Sequence, residues 1–447
     1  MVGERRRRGR RPALARRLIR LGIPAVVAVV VVVLAASAVA QIGPQSGPYR
    51  RSVDRGYVAL ARPLVAMSNA SGQTLESLLH SAATLDRVTL FGRLDALVAD
   101  TAGEERLYRA ITPPDPSTST ATRCSAAVAS RARAVAALRG ALEGVLGGRN
   151  GLGSVDLAGA ITTVASAGTT LHGADRSWAA CRRGVERAAG SARLPASVWL
   201  ADPGSLSAAD AARVVGALAG SRALAPVHRL AILAVVTDPP AVMSGGTGAV
   251  VPTISLGTEV VVANQGNVDE DGVEVGGVAQ LLGEAASPAP VQRTVSLAAG
   301  ASTTLALPAF SVRPGSSYTL QITAETPRPG GTGPLASDSI EVQVQPAATV
   351  VSVLSSSSRV ASGASLTLTA EVTPSLTDVG QPDGTVAFEV DGAAVPACTA
   401  RGVSDGKATC TTTLTAAGAA ALSAVYSGSP RFAGATSPAI TVVVTSG

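Results

Sequence analysis

The residues able to do chemistry are few. Four cysteines, Cys124, Cys181, Cys398 and Cys410, stand beside three histidines, His80, His172 and His228, and one acidic run, Asp269-Glu270-Asp271. Thiols can act as nucleophiles, bind zinc or oxidise to disulfides, but zinc sites and redox centres need close pairs such as C-x-x-C or histidine neighbours. None of the four has them. G-x-S-x-G, H-E-x-x-H and G-x-x-x-x-G-K are also missing, and three histidines spread over three elements give a Ser/His/Asp triad little to assemble from. The acidic run could hold calcium at a sheet edge. Without EF-hand spacing it reads as a solvated turn. Eleven Phe, Tyr and Trp in 447 residues leave few for the exposed stacking platforms of sugar- or single-strand-binding proteins. The expectation is a non-enzyme with no cofactor, no metal, no nucleic-acid partner and no small-molecule substrate.

What the cysteines do depends on the elements that carry them. From residue 49 to about 200 the apolar residues recur at three- and four-residue steps: Tyr57, Leu60 and Leu64, then Leu75, Leu78, Leu79, Ala82 and Leu85, then Leu90, Leu94 and Leu97. Asn69-Ala70-Ser71-Gly72 interrupts the series and predicts a break or kink. Thr112-Pro113-Pro114-Asp115-Pro116, through Thr122, predicts a loop. Two clearer helices follow. Val128, Val135, Leu138, Leu142 and Val145 mark one, and Leu157, Val164, Leu171, Trp178 and Val185, seven apart, mark the other. The register assigns Trp178 to the core. The glycine-rich segment 147–153 must be the turn between them, and the midpoint of Cys124 and Cys181 falls inside it. An antiparallel hairpin therefore brings the two thiols level, which predicts a disulfide. A short helix with Ser207 as its N-cap and Asp210 three residues on completes an antiparallel bundle.

The charge distribution sets the compartment. Net charge is +6, yet Arg5, Arg6, Arg7, Arg8, Arg10, Arg11, Arg16, Arg17 and Arg20 all precede a stretch, residues 21–49, without a charged residue. Beyond residue 41 the chain holds 28 basic and 30 acidic groups. The apolar run 23–42 is long enough, at about 1.5 Å per residue, to span a bilayer core of about 30 Å. Nine arginines on one flank predict a cytoplasmic tail and an exported body. Ala38-Val39-Ala40 offers the alternative of a secretory signal cleaved after Ala40. Arginine outnumbers lysine 36 to 1, Lys407 being the single lysine, a codon bias pointing to a GC-rich bacterial genome.

From His228 the pattern becomes short Val/Ile/Thr/Leu runs with Pro, Gly, Asn and Asp about every ten residues, the spacing of β-sandwiches. The Asn264-Gln265-Gly266 turn after a strand and the Leu297-Ala298-Ala299-Gly300 lead-in resemble the bacterial cell-adhesion-related (CARDB-type) Ig-like domains over residues 228–345. Gly384-Thr385-Val386-Ala387-Phe388, Gly406-Lys407-Ala408-Thr409 and Ala424-Val425-Tyr426-Ser427-Gly428 resemble the bacterial Ig-like repeats of surface proteins over residues 347–444. Ser429 stands where that family usually has Asp. The resemblance implies a sandwich used as a spacer or adhesive module. Read on its own, Asp405-Gly406 is a hairpin turn, and Cys398 and Cys410 are centred on it, which predicts a second disulfide.

The expected fold class is multidomain α plus β. A cytoplasmic Arg-rich tail (1–22) leads to a transmembrane helix (23–43), an extracytoplasmic antiparallel helical bundle (49–225), a CARDB-like sandwich (226–345) and a bacterial Ig-like sandwich (346–447). The expected function is a single-pass, membrane-anchored bacterial surface protein whose modules serve adhesion or contact with another envelope or surface protein. The alternative makes the bundle a ligand sensor or docking scaffold, with the sandwiches accessory.

Overall fold

A computed structural model describes residues 47–111, 119–189, 193–284, 288–327 and 335–446. The chain divides into two compact units, 1–226 and 227–447. The expected span 23–43 and the nine topology arginines lie outside the described residues. Among the described residues, no helix is long and apolar enough to cross a membrane.

The first unit is helical: α1 (Gly47–Ser81), α2 (Arg87–Ala110), α3 (Ser119–Val145), α4 (Leu157–Ala189) and α5 (Ala208–Ala219). The expected break at residues 69–72 does not occur, since α1 runs through both Pro63 and Gly72. The small and polar residues there serve tertiary contacts instead. Gly72 lies under the Trp199 ring, where a Cβ would sit 2.8 Å from Cδ1, and Asn69 Nδ2 donates to Ala196 O at 3.1 Å. The hairpin of α3 and α4 turns on Gly147, Gly148 and Gly151, all with φ near +70 to +80°. That backbone conformation is open to glycine and strained for other residues. Of the seven-residue series, Val164, Leu171, Trp178 and Val185 are buried, whereas Leu157, at the start of α4, stays 41% exposed. Helix α5 starts as its sequence suggests: Ser207 Oγ accepts from Asp210 N, and Asp210 Oδ2 accepts from Leu206 N at 2.9 Å.

The second unit holds two β-sandwiches. In the first, a three-stranded sheet with Ser255–Asn264 between Leu230–Asp238 and Ser302–Ser311 packs on a six-stranded sheet. The six strands run Val242–Ser244, Thr247–Val250, Ala336–Val344, Ser317–Glu325, Glu270–Leu281 and Val291–Leu297 in spatial order. Alternate residues point inward, so Leu256, Val260 and Val262 meet Val273, Val275, Leu320 and Ile322 in one core. In the second sandwich, Thr349–Ser355, Ser365–Pro374 and Lys407–Thr413 form one sheet. The other is built on Ile440–Thr445, Gly418–Tyr426 and Thr385–Val390. Phe388, Tyr426 and Phe432 fill its core. The sandwiches abut at Gly315, with φ +74°, where a Cβ would collide with Pro430 O.

Candidate functional site

Both expected disulfides form. Cys124 and Cys181 have Cα atoms 5.1 Å apart, at the end of the α3–α4 hairpin remote from its turn, among Tyr57, Tyr108 and Trp178. Cys398 and Cys410 have Cα atoms 5.8 Å apart. Their setting differs from a simple ladder across adjacent strands. Asp405 and Gly406 do make a tight turn, both with positive φ and with mutual Ser404 and Lys407 main-chain bonds of 2.9 Å. Cys398, however, sits in the 3-10 turn Pro396–Cys398, and the strand Arg401–Gly402 pairs with Thr385–Val390. The bond therefore ties a turn over the edge strand that carries Cys410.

The three histidines stay apart. His80 Nδ1 binds Glu76 O within its own helix, His172 Nε2 meets Ser205 O at 3.1 Å, and His228 Nδ1 meets Glu270 Oε1 at 2.8 Å. The acidic run is not the solvated turn its sequence suggests. Glu270 is buried against His228, and Asp269 Oδ1 accepts from Ala299 N at 2.9 Å. Among the described residues, no three His, Cys, Asp or Glu gather closely enough to hold a metal ion.

The polar arrangement that the sequence reading missed lies inside the bundle. Along all four long helices, two apolar clusters are separated at one level by polar residues: Ser68 and Ser71 on α1, Thr101 and Glu104 on α2, Arg131 on α3 and Asp175 on α4. Arg131 is 1% exposed. It donates to Asp175 Oδ1 at 2.7 Å, Ser197 Oγ at 2.8 Å, Ser197 O at 3.0 Å and Ser68 Oγ at 3.2 Å. Its guanidinium also lies over the rings of Trp199 and Trp178, 5.1 and 5.9 Å from their centroids. Asp175 Oδ2 accepts from the main-chain N–H groups of Trp199 and Leu200, so the pair straps the extended segment 193–200 onto the helices. Burial pulls the Arg131 guanidinium below its ordinary value, while Asp175 and Glu104 hold it up. Burial pushes the Glu104 carboxyl up against a 2.5 Å hydrogen bond from Ser71 Oγ. It also pushes the Tyr57 hydroxyl, bonded to Tyr108, up to about 12.

The one signal for this layer was in the α3 series. Cys124, Ala127, Val128, Arg131, Val135 and Leu138 share a helix face, which puts a cation on an apolar stripe. The cavity beside it, lined by Ser68, Glu104, Arg131, Trp178 and Ser197 among others, measures about 10 Å³. That is about the space of one water molecule, so the layer is an internal lock rather than a ligand pocket.

Residues 351–445 match the family described as "Bacterial Ig-like domain (group 3)". Among solved structures, the Yersinia pseudotuberculosis adhesin InvE is 18% identical over 47% of this chain and 58% of its own, with TM-score 0.23. Invasin, titled a bacterial integrin-binding protein, is 16% identical over 49% of this chain and 40% of its own, with TM-score 0.25. The Escherichia coli adhesin FdeC is 12% identical over 49% and 66%, with TM-score 0.19. This chain thus spans less than two thirds of the length of the first of these structures. No curated protein matches the chain.

Proposed function

We propose that this is a non-enzymatic bacterial surface protein, held in the cell membrane by residues 23–43 with the tail 1–22 in the cytoplasm. It presents two Ig-like sandwiches outside the membrane for adhesion or for contact with another envelope or surface protein. The observation that carries the reading is the bacterial Ig-like module at residues 351–445. Two facts support its placement. Both cysteine pairs are oxidised, as suits a compartment outside the reducing cytosol. The arginine-flanked apolar run supplies a membrane segment whose orientation exports everything after it. The order tail, span, helical bundle, CARDB-like sandwich and bacterial Ig-like sandwich belongs to the same proposal, with release after Ala40 as its alternative. In this reading the helical unit is a support, and the cavity beside Arg131 has room for about one water molecule.

Deletion separates the parts. Cells expressing the chain without residues 346–447 should lose attachment and the partners captured by cross-linking at the surface, while deletion of 50–200 with the span retained should leave captured partners unchanged. The reverse pattern would move the function to the helical unit.

A further inference from the structure

Among the described residues, the second sandwich leaves most of one strand edge open. In the sheet ordered Thr349–Ser355, Ser365–Pro374, Lys407–Thr413, only the middle strand is paired on both sides. Ser375 N donates to Ala348 O and Ser356 N donates to Thr367 O, both at 2.8 Å, in the same register that sets Val351 opposite Val372. Antiparallel pairing alternates, so even-numbered residues of Thr349–Ser355 turn their main-chain groups to the neighbour. Val351 and Val353 turn theirs to the open edge, which begins past Thr349: before it, Ala347 exchanges main-chain bonds with Arg431 O and Ala433 N, and Thr349 Oγ1 donates to Ala433 O at 2.8 Å.

Other edges in the unit are protected in ways that block further pairing. Lys407–Thr413 is covered by the Cys398–Cys410 bond and by Arg401 Nε, which donates to Thr409 O at 2.9 Å. Ser302–Ser311 carries Pro308, Leu230–Asp238 slips register between Ile232 and Ala234, and Val291–Leu297 carries Arg293. Val242–Ser244 and Arg359–Ala361 are only three residues long. Thr349–Ser355 has seven residues, with no proline, no charge and no register shift. Its outward side chains Val350 and Leu354 are 62% and 60% exposed.

We propose that this edge pairs with the same edge of a second copy of the chain, antiparallel about a two-fold axis through Ser352, and so joins two sheets into one. The strand is complementary to itself in that register. Val351 meets Val353 of the second copy through their free main-chain groups, Val350 faces Leu354, and Ser352 faces Ser352. Charge agrees with the pairing. In the row behind the axis, Ser352 lies opposite Glu371 and Glu371 opposite Lys407. The carboxylate and the ammonium pair at 3.9 Å, so each copy brings a neutral face to the joint. The pairing rests on the strand alone and not on the adhesive reading, and either can fail without the other.

The test uses the full chain in detergent. All four native cysteines are in disulfides, so S352C adds the single reactive thiol. Opposed non-hydrogen-bonded residues have Cα atoms about 4.5 Å apart, within disulfide range. S352C should give a disulfide-linked dimer about ten times faster than T373C, an exposed thiol one strand further in, because pairing raises the effective concentration of the two thiols. S352K, which opposes two ammonium groups on the axis, should reduce the sedimenting mass from two chains to one. Equal cross-linking rates, cross-linking of S352C to a different polypeptide, or self-association that S352K leaves intact would each overturn the proposal.

Discussion

Arg131 and Asp175 show how single side chains organise the helical unit. An arginine at 1% exposure would be costly unless paired, and here one carboxylate, two hydroxyls, a carbonyl and two indole faces receive it. Asp175 uses its second oxygen to fix the main chain at Trp199 and Leu200. Glu104, at the same level, supplies a pH signature. Its folded-state value is raised by burial, more than Ser71, Ser68 and Arg131 lower it. Between its ordinary value and the raised one, the folded chain therefore holds a proton that the unfolded chain has lost. Stability falls as pH rises through that interval and does not recover above it. Glu104→Gln, neutral at every pH and still able to accept from Ser71, should remove this slope. The check is the helical circular-dichroism melt of wild type and variant across mildly acidic to neutral pH; parallel curves would contradict the assignment.

At the scale of elements, the α3–α4 hairpin was legible because two periodic series flank a glycine-rich turn and two cysteines are equidistant from it. The inward position of Trp178 followed from the same register. The continuity of α1 was not legible, because Asn69, Ser71 and Gly72 read locally as helix breakers and only the tertiary structure gives them partners in Ala196, Glu104 and Trp199. Arg131 was hidden for a related reason: an apolar-stripe count passes over a cation whose partners lie 44 and 66 residues away. In the second sandwich the turn at Asp405-Gly406 gave the disulfide partner of Cys410 but not the 3-10 turn that holds Cys398. The Cys124–Cys181 bond closes a separation of 57 residues, worth up to about 4 kcal/mol in the chain-entropy account. Replacing both cysteines by serine should lower the denaturant midpoint of the helical signal. The corresponding change at Cys398 and Cys410, with a separation of 12, should cost less, up to about 3 kcal/mol, and leave the helical signal unchanged.

At the scale of the whole molecule, the basic character resides in the first twenty residues, while the body beyond residue 41 is close to neutral. A tail of that kind next to an uncharged apolar run orients a chain in a membrane, and two oxidised cysteine pairs suit the outside. The fold then places the bacterial Ig-like module at the far end of the sequence from the proposed span. That module also contains Lys407, the single lysine, whose side chain is 59% exposed. Display of the module outside the membrane is the central claim, and this lysine reads it directly. Intact cells treated with a membrane-impermeant amine-reactive reagent should yield the full chain modified at Lys407, with its amino terminus unmodified until the cells are lysed. Modification of Lys407 only after lysis would contradict the account.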